Sequence, residues 1–194
     1  MKIIGLTGLT GAGKSTVALK LMAYGCYHID ADKVAREVIN SDENVKNKLK
    51  KQFGDDVING DKTVNRPLLA SRAFADEEST EALNAITHPA VTEKIRGIID
   101  EKKELGYSGI IIDAIALFES GEDKLCDFTV AVTAPEDIRL ERIMARDKIS
   151  REKALERINA QKDESFFTKQ ADFIIWNYPP YNLDVEIRQI IANL

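Results

Sequence analysis

Eight residues near the start of the chain have the types and spacing of a phosphate-binding loop. Residues 8–15 read GLTGAGKS, a complete match to G-x-x-x-x-G-K-[ST], and they follow the short apolar run at 3–6. A match of this kind between a strand and a helix predicts a backbone that folds around an anion. The alternative is a glycine-rich turn with a solvated lysine, but a complete match is rare by chance. We therefore expect a nucleoside triphosphate to bind here.

The residue types of this loop have physical reasons. Glycines adopt backbone angles that other residues avoid, so successive N–H groups can point inward around a phosphate, and the dipole of the following helix adds attraction. The Lys14 ammonium can follow negative charge during phosphoryl transfer, and the Ser15 hydroxyl is an oxygen ligand suited to Mg²⁺. The predicted phosphate-binding residues are Gly8, Gly11, Ala12, Gly13, Lys14, Ser15 and Thr16.

Two aspartates follow the second predicted strand. Asp30 and Asp32 flank Ala31, and the two-residue period of a strand would place both carboxylates on one side, toward the loop. One of them could accept the proton of a substrate hydroxyl and orient its oxygen for attack on the γ-phosphate. The alternative is structural, because an aspartate would cap a helix beginning near Lys33, with Asp32 free for that role.

Three arginines three and four residues apart would share one face of a helix. Arg139, Arg142 and Arg146 have this spacing, and like charges so close repel each other unless an anion lies between them. On a mobile segment they could close over ATP and exclude water. The alternative is a solvated helix, because acidic residues are interleaved with them.

Other polar residues allow weaker predictions. Pro89 disfavours a helical conformation at the preceding His88, which we expect to mark a helix boundary. Asp113 ends an apolar strand, as does the magnesium-directing carboxylate of many P-loop enzymes. His28 is expected to be structural. Two cysteines are too few for a disulfide framework, and both are expected to be small core residues.

The elements that must position these residues form an α/β pattern. Near-continuous apolar runs at 3–6, 26–29, 110–113, 128–132 and 173–176 predict a parallel sheet covered on both faces. About eighty residues of helical pattern separate the second and third runs, and an insertion at this place could hold a second substrate. Another helical stretch spans 135–170. A chain of 194 residues fits one domain with insertions.

Composition and charge reduce the number of possible partners and locations. The net charge of −5 argues against a nucleic-acid partner, because such proteins usually carry a basic excess. No apolar run approaches the length of a membrane span, and no signal peptide is apparent. We therefore expect a cytoplasmic protein without membrane or nucleic-acid partners, monomeric or weakly homo-oligomeric.

Over nearly its whole length the sequence resembles the dephospho-coenzyme A kinase family. The resemblance is carried by motifs in the family's order: GLTGAGKST at 8–16, IDAD at 29–32, Arg66 before Leu69-Ala70, His88-Pro89, LFE at 117–119, Arg142, Arg146, Ala154 through Gln161, Ala171-Asp172, Ile175 and Asn177. The chain departs from the family pattern at Leu9, Arg139, Ile115-Ala116 and Tyr178-Pro179.

The resemblance implies an α/β P-loop kinase with a five-stranded parallel sheet covered by helices, a helical substrate-binding insertion and a helical lid. Within one chain of residues 1–194, the core would take about 1–30 and 107–194, the coenzyme A insertion about 31–106, and the lid about 137–166. The implied reaction moves the γ-phosphate of ATP, with Mg²⁺, to the ribose 3′-hydroxyl of dephospho-coenzyme A.

The resemblance also implies roles for single residues. Lys14 and Ser15 would be the phosphate and Mg²⁺ residues, Asp32 the base, and Arg142 the lid arginine. Asn177 would contact the nucleotide. The acceptor would contact Asp32, Arg66, His88 and Leu117.

Three other functions remain as alternatives. The nearest is another nucleoside monophosphate or small-molecule P-loop kinase, which would share the loop, the lid and the sheet. A GTPase-type switch protein is less consistent with the sequence, because neither Asp-x-x-Gly nor Asn-Lys-x-Asp occurs in it. Intact Lys14 and Ser15, with Asp32 beside the loop, argue against a noncatalytic nucleotide-binding module.

Overall fold

The protein is built around a five-stranded parallel sheet. The computed structural model describes all residues from 1 to 194, and the strands lie in the order β2-β3-β1-β4-β5. The strands are β1 (Lys2–Gly8), β2 (Cys26–Asp30), β3 (Gly109–Asp113), β4 (Phe128–Thr133) and β5 (Phe173–Trp176). The predicted fold class is therefore confirmed.

The central strand of the sheet is the first strand of the chain. In the parallel ladders, Ile4 of β1 lies beside Ile111 of β3 on one side and Phe128 of β4 on the other. Runs of consecutive buried residues in β1, β3 and β4 show that both faces of the sheet are covered, as expected for a parallel sheet. The carboxyl ends of β1 and β3 are thereby fixed side by side.

Nine helices accompany the sheet. They are α1 (Lys14–Ala23), α2 (Ala31–Ser41), α3 (Glu43–Phe53), α4 (Arg66–Ala73), α5 (Glu77–Lys103), α6 (Glu136–Asp147), α7 (Arg151–Asn159), α8 (Glu164–Thr168) and α9 (Leu183–Ile191). None of them, including the 27-residue α5, is long and apolar enough to cross a membrane.

The chain divides into two compact units. Met1–Ile29 and Lys102–Leu194 form what we call the sheet unit, and Asp30–Glu101 form the helical unit. In the sheet unit, α1 packs on β1 and on α9. The pair α6 and α7 has a small core of its own, made by Leu140, Ile143, Ala154 and Ile158. In the helical unit, α3 packs against α2 and α4.

The helix boundary predicted at His88 is wrong. The helix α5 continues through Pro89 and ends only at Lys103. A proline inside a helix removes one backbone hydrogen bond, but burial on both sides of it can hold the helix together. Thr87 before the proline and Val91 and Ile95 after it are all buried. Tertiary packing here overrides the local preference.

Candidate active site

The loop between β1 and α1 takes its shape from glycines that no other residue could replace. Gly11 has a φ of 78°, and a Cβ placed on it would lie 2.6 Å from the carbonyl oxygen of Arg139. Gly13, the N-cap of α1, has a φ of 95°, and its Cβ would collide with the side-chain amide of Asn177. Both positions are thus restricted to glycine by backbone angle and by close neighbours.

The carbonyl groups of the loop are held from one side by two distant side chains. Arg142 on α6 donates through Nη1 to the carbonyl oxygens of Gly11 at 3.4 Å and Ala12 at 3.2 Å. Asn177, just after β5, donates through Nδ2 to the same Ala12 oxygen at 2.7 Å. Arg142 Nη2 also donates to the Asn177 carbonyl oxygen at 2.8 Å. The loop is therefore fixed before any ligand arrives.

With these carbonyl groups engaged, several loop N–H groups remain available. Those of Gly11, Gly13, Lys14 and Ser15 donate no hydrogen bond within the protein. Consecutive free N–H groups at the start of a helix form an anion-binding site. A cavity of about 570 Å³ adjoins them. Its lining consists of Gly8, Leu9, Thr10, Gly11, Gly13, Lys14, Ser15, Thr16, Ile115, Arg142, Arg146 and Asn177.

Lys14 lies in a partly buried chain of charged and polar groups. Its ammonium forms an ion pair with Oδ1 of Asp113, and Oδ2 of Asp113 lies 3.0 Å from Nε2 of His28. Burial acts to raise the pKa of Asp113 and is the largest single influence, but the hydrogen bonds and charges of His28 and Lys14 together outweigh it. The pKa of Asp113 is therefore lowered, and the carboxylate remains a partner for Lys14.

The segment after α7 also contacts the loop. The side-chain oxygen Oε1 of Gln161 accepts a hydrogen bond of 2.6 Å from the N–H group of Thr10. Together with Arg142, this contact ties both ends of the segment 142–161 to the phosphate-binding loop.

The three arginines predicted on one helix face have different environments. Arg142 and Arg146 line the cavity, and Arg146 also pairs with Asp147, which Arg157 contacts as well. Arg139 is only 7% exposed, and its Nε donates to the carbonyl oxygen of Ala134 at 3.0 Å. Burial lowers the pKa of Arg139. The shared face therefore does not form, because Arg139 turns into the protein.

In the helical unit, the predicted roles of the two aspartates in capping are reversed. The helix α2 begins at Ala31, and Asp30 is its cap, with Oδ1 accepting from the N–H group of Lys33 at 2.8 Å. Asp32 therefore lies in the first helical turn, and the strand period used to place both carboxylates on one side does not apply to it. The Asp32 carboxylate is exposed, and the cap of α2 does not require it.

The other predicted acceptor residues are dispersed. Arg66 is the exposed first residue of α4. His88 lies inside α5, and burial lowers its pKa. Leu117 is 0% exposed and packs where a side chain on Gly5 would otherwise fit. The Leu117 side chain belongs to the core, and the predicted acceptor contact at this residue stays a prediction.

A magnesium ion fits the loop only as a partner of bound phosphate. No group of three or more His, Cys, Asp or Glu side chains is placed to hold a metal. Mg²⁺ needs no such cage, because it is commonly held by one or two protein oxygens together with phosphate and water. The exposed Ser15 hydroxyl lines the cavity and offers one such oxygen. Asp113 is engaged by Lys14 and His28 instead.

Comparison with known proteins identifies the family of the chain. The sequence model of the CoaE family, dephospho-CoA kinase, matches residues 2–180. The chain belongs to the dephospho-CoA kinase family. This family catalyses the last step of coenzyme A biosynthesis and consists of ATP-dependent phosphotransferases, so the predicted family, reaction type and nucleotide are confirmed.

Individual dephospho-CoA kinases are similar over most of their length. The protein from Corynebacterium efficiens is 37% identical over 192 residues, which cover 98% of this chain and 96% of the relative. The protein from Moorella thermoacetica is 40% identical over 176 residues, covering 90% and 83%. The solved dephospho-CoA kinase from Campylobacter jejuni has a TM-score of 0.70 at 27% identity and covers 98% of this chain and 96% of its own.

Two residues near the loop, Ile115 and Gln161, were not predicted as site residues. Ile115 lines the cavity directly after β3, and the carboxyl ends of strands are where ligands of such folds bind. Gln161 is separated from Thr10 by 151 residues, and no local signal in the sequence connects them.

Proposed function

We propose that this chain transfers the γ-phosphoryl group of ATP to the ribose 3′-hydroxyl of dephospho-coenzyme A, using the residues described above. The observation that carries the assignment is the loop cavity, in which free N–H groups, Lys14 and two arginines face one space. Such a cavity matches a polyphosphate in size and in charge. The family to which the chain belongs supplies the acceptor.

Lys14 changes partners in this reaction. Without nucleotide its ammonium rests on Asp113. When the triphosphate occupies the loop, the ammonium moves to the phosphates and neutralises the charge that develops on the oxygen between the β- and γ-phosphorus atoms. Arg142 and Arg146, which line the same cavity, act on the same charge. Asn177 holds the loop in its binding shape.

Asp32 serves as the general base. The ribose 3′-oxygen forms a bond to the γ-phosphorus while the bond from that phosphorus to the bridging oxygen breaks. The 3′-hydroxyl proton passes to the Asp32 carboxylate, and ADP leaves with the bridging oxygen. Asp32 suits this role because Asp30 already satisfies the helix cap.

Ser15 would hold Mg²⁺ through its hydroxyl. When bound, the ion neutralises phosphate charge and fixes the orientation of the β- and γ-phosphates. The protein contributes the position of Ser15, which follows from its place at the second residue of α1.

The segments of about 31–106 and 137–166 have distinct tasks in this scheme. The first holds the acceptor, with Arg66 as a cation for its phosphates. His88, whose pKa is lowered by burial, is a neutral hydrogen-bonding group at neutral pH. The second closes over the nucleotide and excludes water. The substrates are small molecules, and we expect a cytoplasmic enzyme that is monomeric or weakly homo-oligomeric.

A panel of acceptors tests this function directly. Purified protein is incubated with ATP and Mg²⁺, and ADP release is followed with dephospho-coenzyme A, AMP, CMP or shikimate as acceptor. We expect turnover with dephospho-coenzyme A and none of comparable efficiency with the others. Turnover of AMP, CMP or shikimate in its place would overturn the assignment.

A further inference from the structure

A second cationic groove lies entirely within the helical unit. Its volume is about 550 Å³, and Lys33 and Arg36 of α2 face Arg66 of α4 across it. Glu37, Asn40 and Ser41 complete the lining. The groove thus combines three cations with one carboxylate, in a chain whose net charge is −5.

These three cations have no acidic partner in the folded protein. Ion pairs within the helical unit engage other cations, namely Lys46 with Glu43, Arg72 with Asp56 and Arg96 with Glu93. Lys33, Arg36 and Arg66 take part in none, and all three side chains are exposed. Their charges are therefore available to a ligand.

The placement of these charges opposes the local preferences of the helices. Arg66 is the first residue of α4, whose first turn contains no acidic residue, so the positive end of the helix dipole repels it. Lys33 and Arg36 are three residues apart on α2, and like charges at this spacing destabilise a helix. A bound anion would remove both repulsions.

The groove starts one helical turn from the proposed base. Asp32 and Arg36 are four residues apart on α2, so they lie on the same face, about 6 Å apart along its axis. In dephospho-coenzyme A, the 5′ carbon of the ribose that carries the reacting hydroxyl also carries a pyrophosphate. This pyrophosphate is the nearest anionic group to the hydroxyl.

We propose that Lys33, Arg36 and Arg66 bind the pyrophosphate of the acceptor, while Asp32 holds the ribose hydroxyl at the start of the same helix. This inference rests on the proposed function and extends it from the reacting hydroxyl to the part of the acceptor that is recognised. Arginine guanidinium groups can donate two parallel hydrogen bonds to phosphate oxygens, and Lys33 adds a point charge. The helix α2 thus sets the distance between the reacting hydroxyl and the recognised phosphates.

Steady-state kinetics with both substrates test the proposal. In Arg36→Ala and Lys33→Ala, the KM for dephospho-coenzyme A should rise about tenfold or more, the usual effect of losing a hydrogen bond to a charged group. The KM for ATP should stay within about twofold, because the loop cavity does not include these residues. Lys48→Ala is the matched control, since Lys48 is an exposed cation on α3 outside the groove. It should behave as wild type.

A shorter acceptor distinguishes the loss of a pyrophosphate contact from a general loss of activity in the variant. Adenosine has the same ribose hydroxyls but no phosphate, and its kcat/KM at saturating ATP should be equal in wild type and Arg36→Ala. The preference for dephospho-coenzyme A over adenosine should therefore shrink in the variant. An equal loss with both acceptors would overturn the proposal, and so would an unchanged KM for dephospho-coenzyme A.

The two proposals fail in different ways. If wild-type protein does not phosphorylate dephospho-coenzyme A, the proposed function is wrong. If wild type does so and all three single variants, including Arg66→Ala, match it, only the pyrophosphate assignment is wrong. Arg36→Gln provides a second variant should Arg36→Ala fail to fold, and thermal melts identify that case.

Discussion

The loop cavity and the groove that we propose for the acceptor are built on different principles. The loop cavity is a backbone structure: its N–H groups are set by glycine angles, and its carbonyl groups are fixed by Arg142 and Asn177. The groove on the helical unit is a side-chain structure, in which exposed cations project from two helices. The first is tied to the core of the sheet unit, whereas the second is a surface of short helices.

The difference indicates how each site would tolerate change. Backbone N–H groups remain when a side chain is replaced, so the loop should keep part of its affinity for phosphate after any single non-glycine substitution. The groove has no backbone groups that would keep its affinity in this way, because each proposed contact to the acceptor depends on one side chain. Kinetic effects in the two units should therefore differ in kind, with lost catalysis in one and lost acceptor recognition in the other.

The largest effect is expected at Asp32, the proposed general base. Asp32→Asn keeps the size of the side chain but removes the charge that accepts the ribose proton. Turnover should fall by about a hundredfold or more, the usual range for a positioned general base. ADP release in a coupled assay measures turnover, and nucleotide titration should show normal ATP binding.

Asp30→Asn is the matched control for that experiment, because asparagine also caps helices well. This variant should turn over nearly as fast as wild type and melt at nearly the same temperature. Near-normal turnover in Asp32→Asn would leave Asp32 without a catalytic role.

Lys14→Ala should produce the next largest loss and sharpen the distinction between the two sites. The loop N–H groups would still hold phosphate, but no mobile cation would neutralise the bridging oxygen. Loss of one electrostatic contact of this kind lowers kcat by about a hundredfold or more. Lys20→Ala, on the same helix and paired with Asp184, serves as the control. Activity within about threefold of wild type would remove Lys14 from the mechanism.

A smaller effect is expected for Arg142→Ala. Its guanidinium holds the carbonyl groups of Gly11 and Ala12 and faces the cavity, so the variant should lower kcat by about tenfold while changing ATP affinity less. Separate measurements of kcat and of the ATP dissociation constant distinguish an effect on catalysis from an effect on ATP binding. A change in ATP affinity alone would make Arg142 a ground-state contact.

The smallest effect concerns stability in acid. Because the pKa of Asp113 is lowered in the folded protein, its ion pair stabilises the fold above the ordinary pKa of aspartate and is lost as the pH falls through the lowered value. His28→Leu removes one of the two residues that lower this pKa, so the loss should begin at a higher pH.

Melting temperatures from about pH 7 to about pH 3 measure that shift. The same series in an Asp113→Asn background tests whether the shift comes from Asp113. In that background, the proteins with and without His28→Leu should show the same acid dependence. A difference between them that persists in this background would assign the effect to another group.

Much of the sheet unit could be predicted from sequence because its signals are local. The loop is one continuous motif, and the apolar runs that became β2, β3, β4 and β5 lie within a residue of the observed strands, while β1 extends two residues beyond its predicted end. The helical unit was harder to predict. The cap at Asp30 and the continuation of α5 through Pro89 were both predicted wrongly, because each depends on a competition that the local sequence does not decide.

Side-chain positions in the two sites show the same limit. Arg139, Arg142 and Arg146 have the spacing of one helix face, yet only the latter two reach the cavity. Leu117 matches a family motif but lies in the core. Gln161 reaches Thr10 across 151 positions of sequence. Packing between distant segments decides each case, and no window of sequence contains that information.

The order of strands in the sheet has a consequence for synthesis on the ribosome. The strand that leaves the ribosome first, β1, pairs only with strands that begin at Gly109 and Phe128, and its loop is fastened by residues as late as Asn177. The helical unit is continuous in sequence, so all its internal partners have been made by Glu101. A nascent chain must therefore carry β1 unpaired until β3 and β4 have been made, and its loop is fully fastened only after Asn177 has been made.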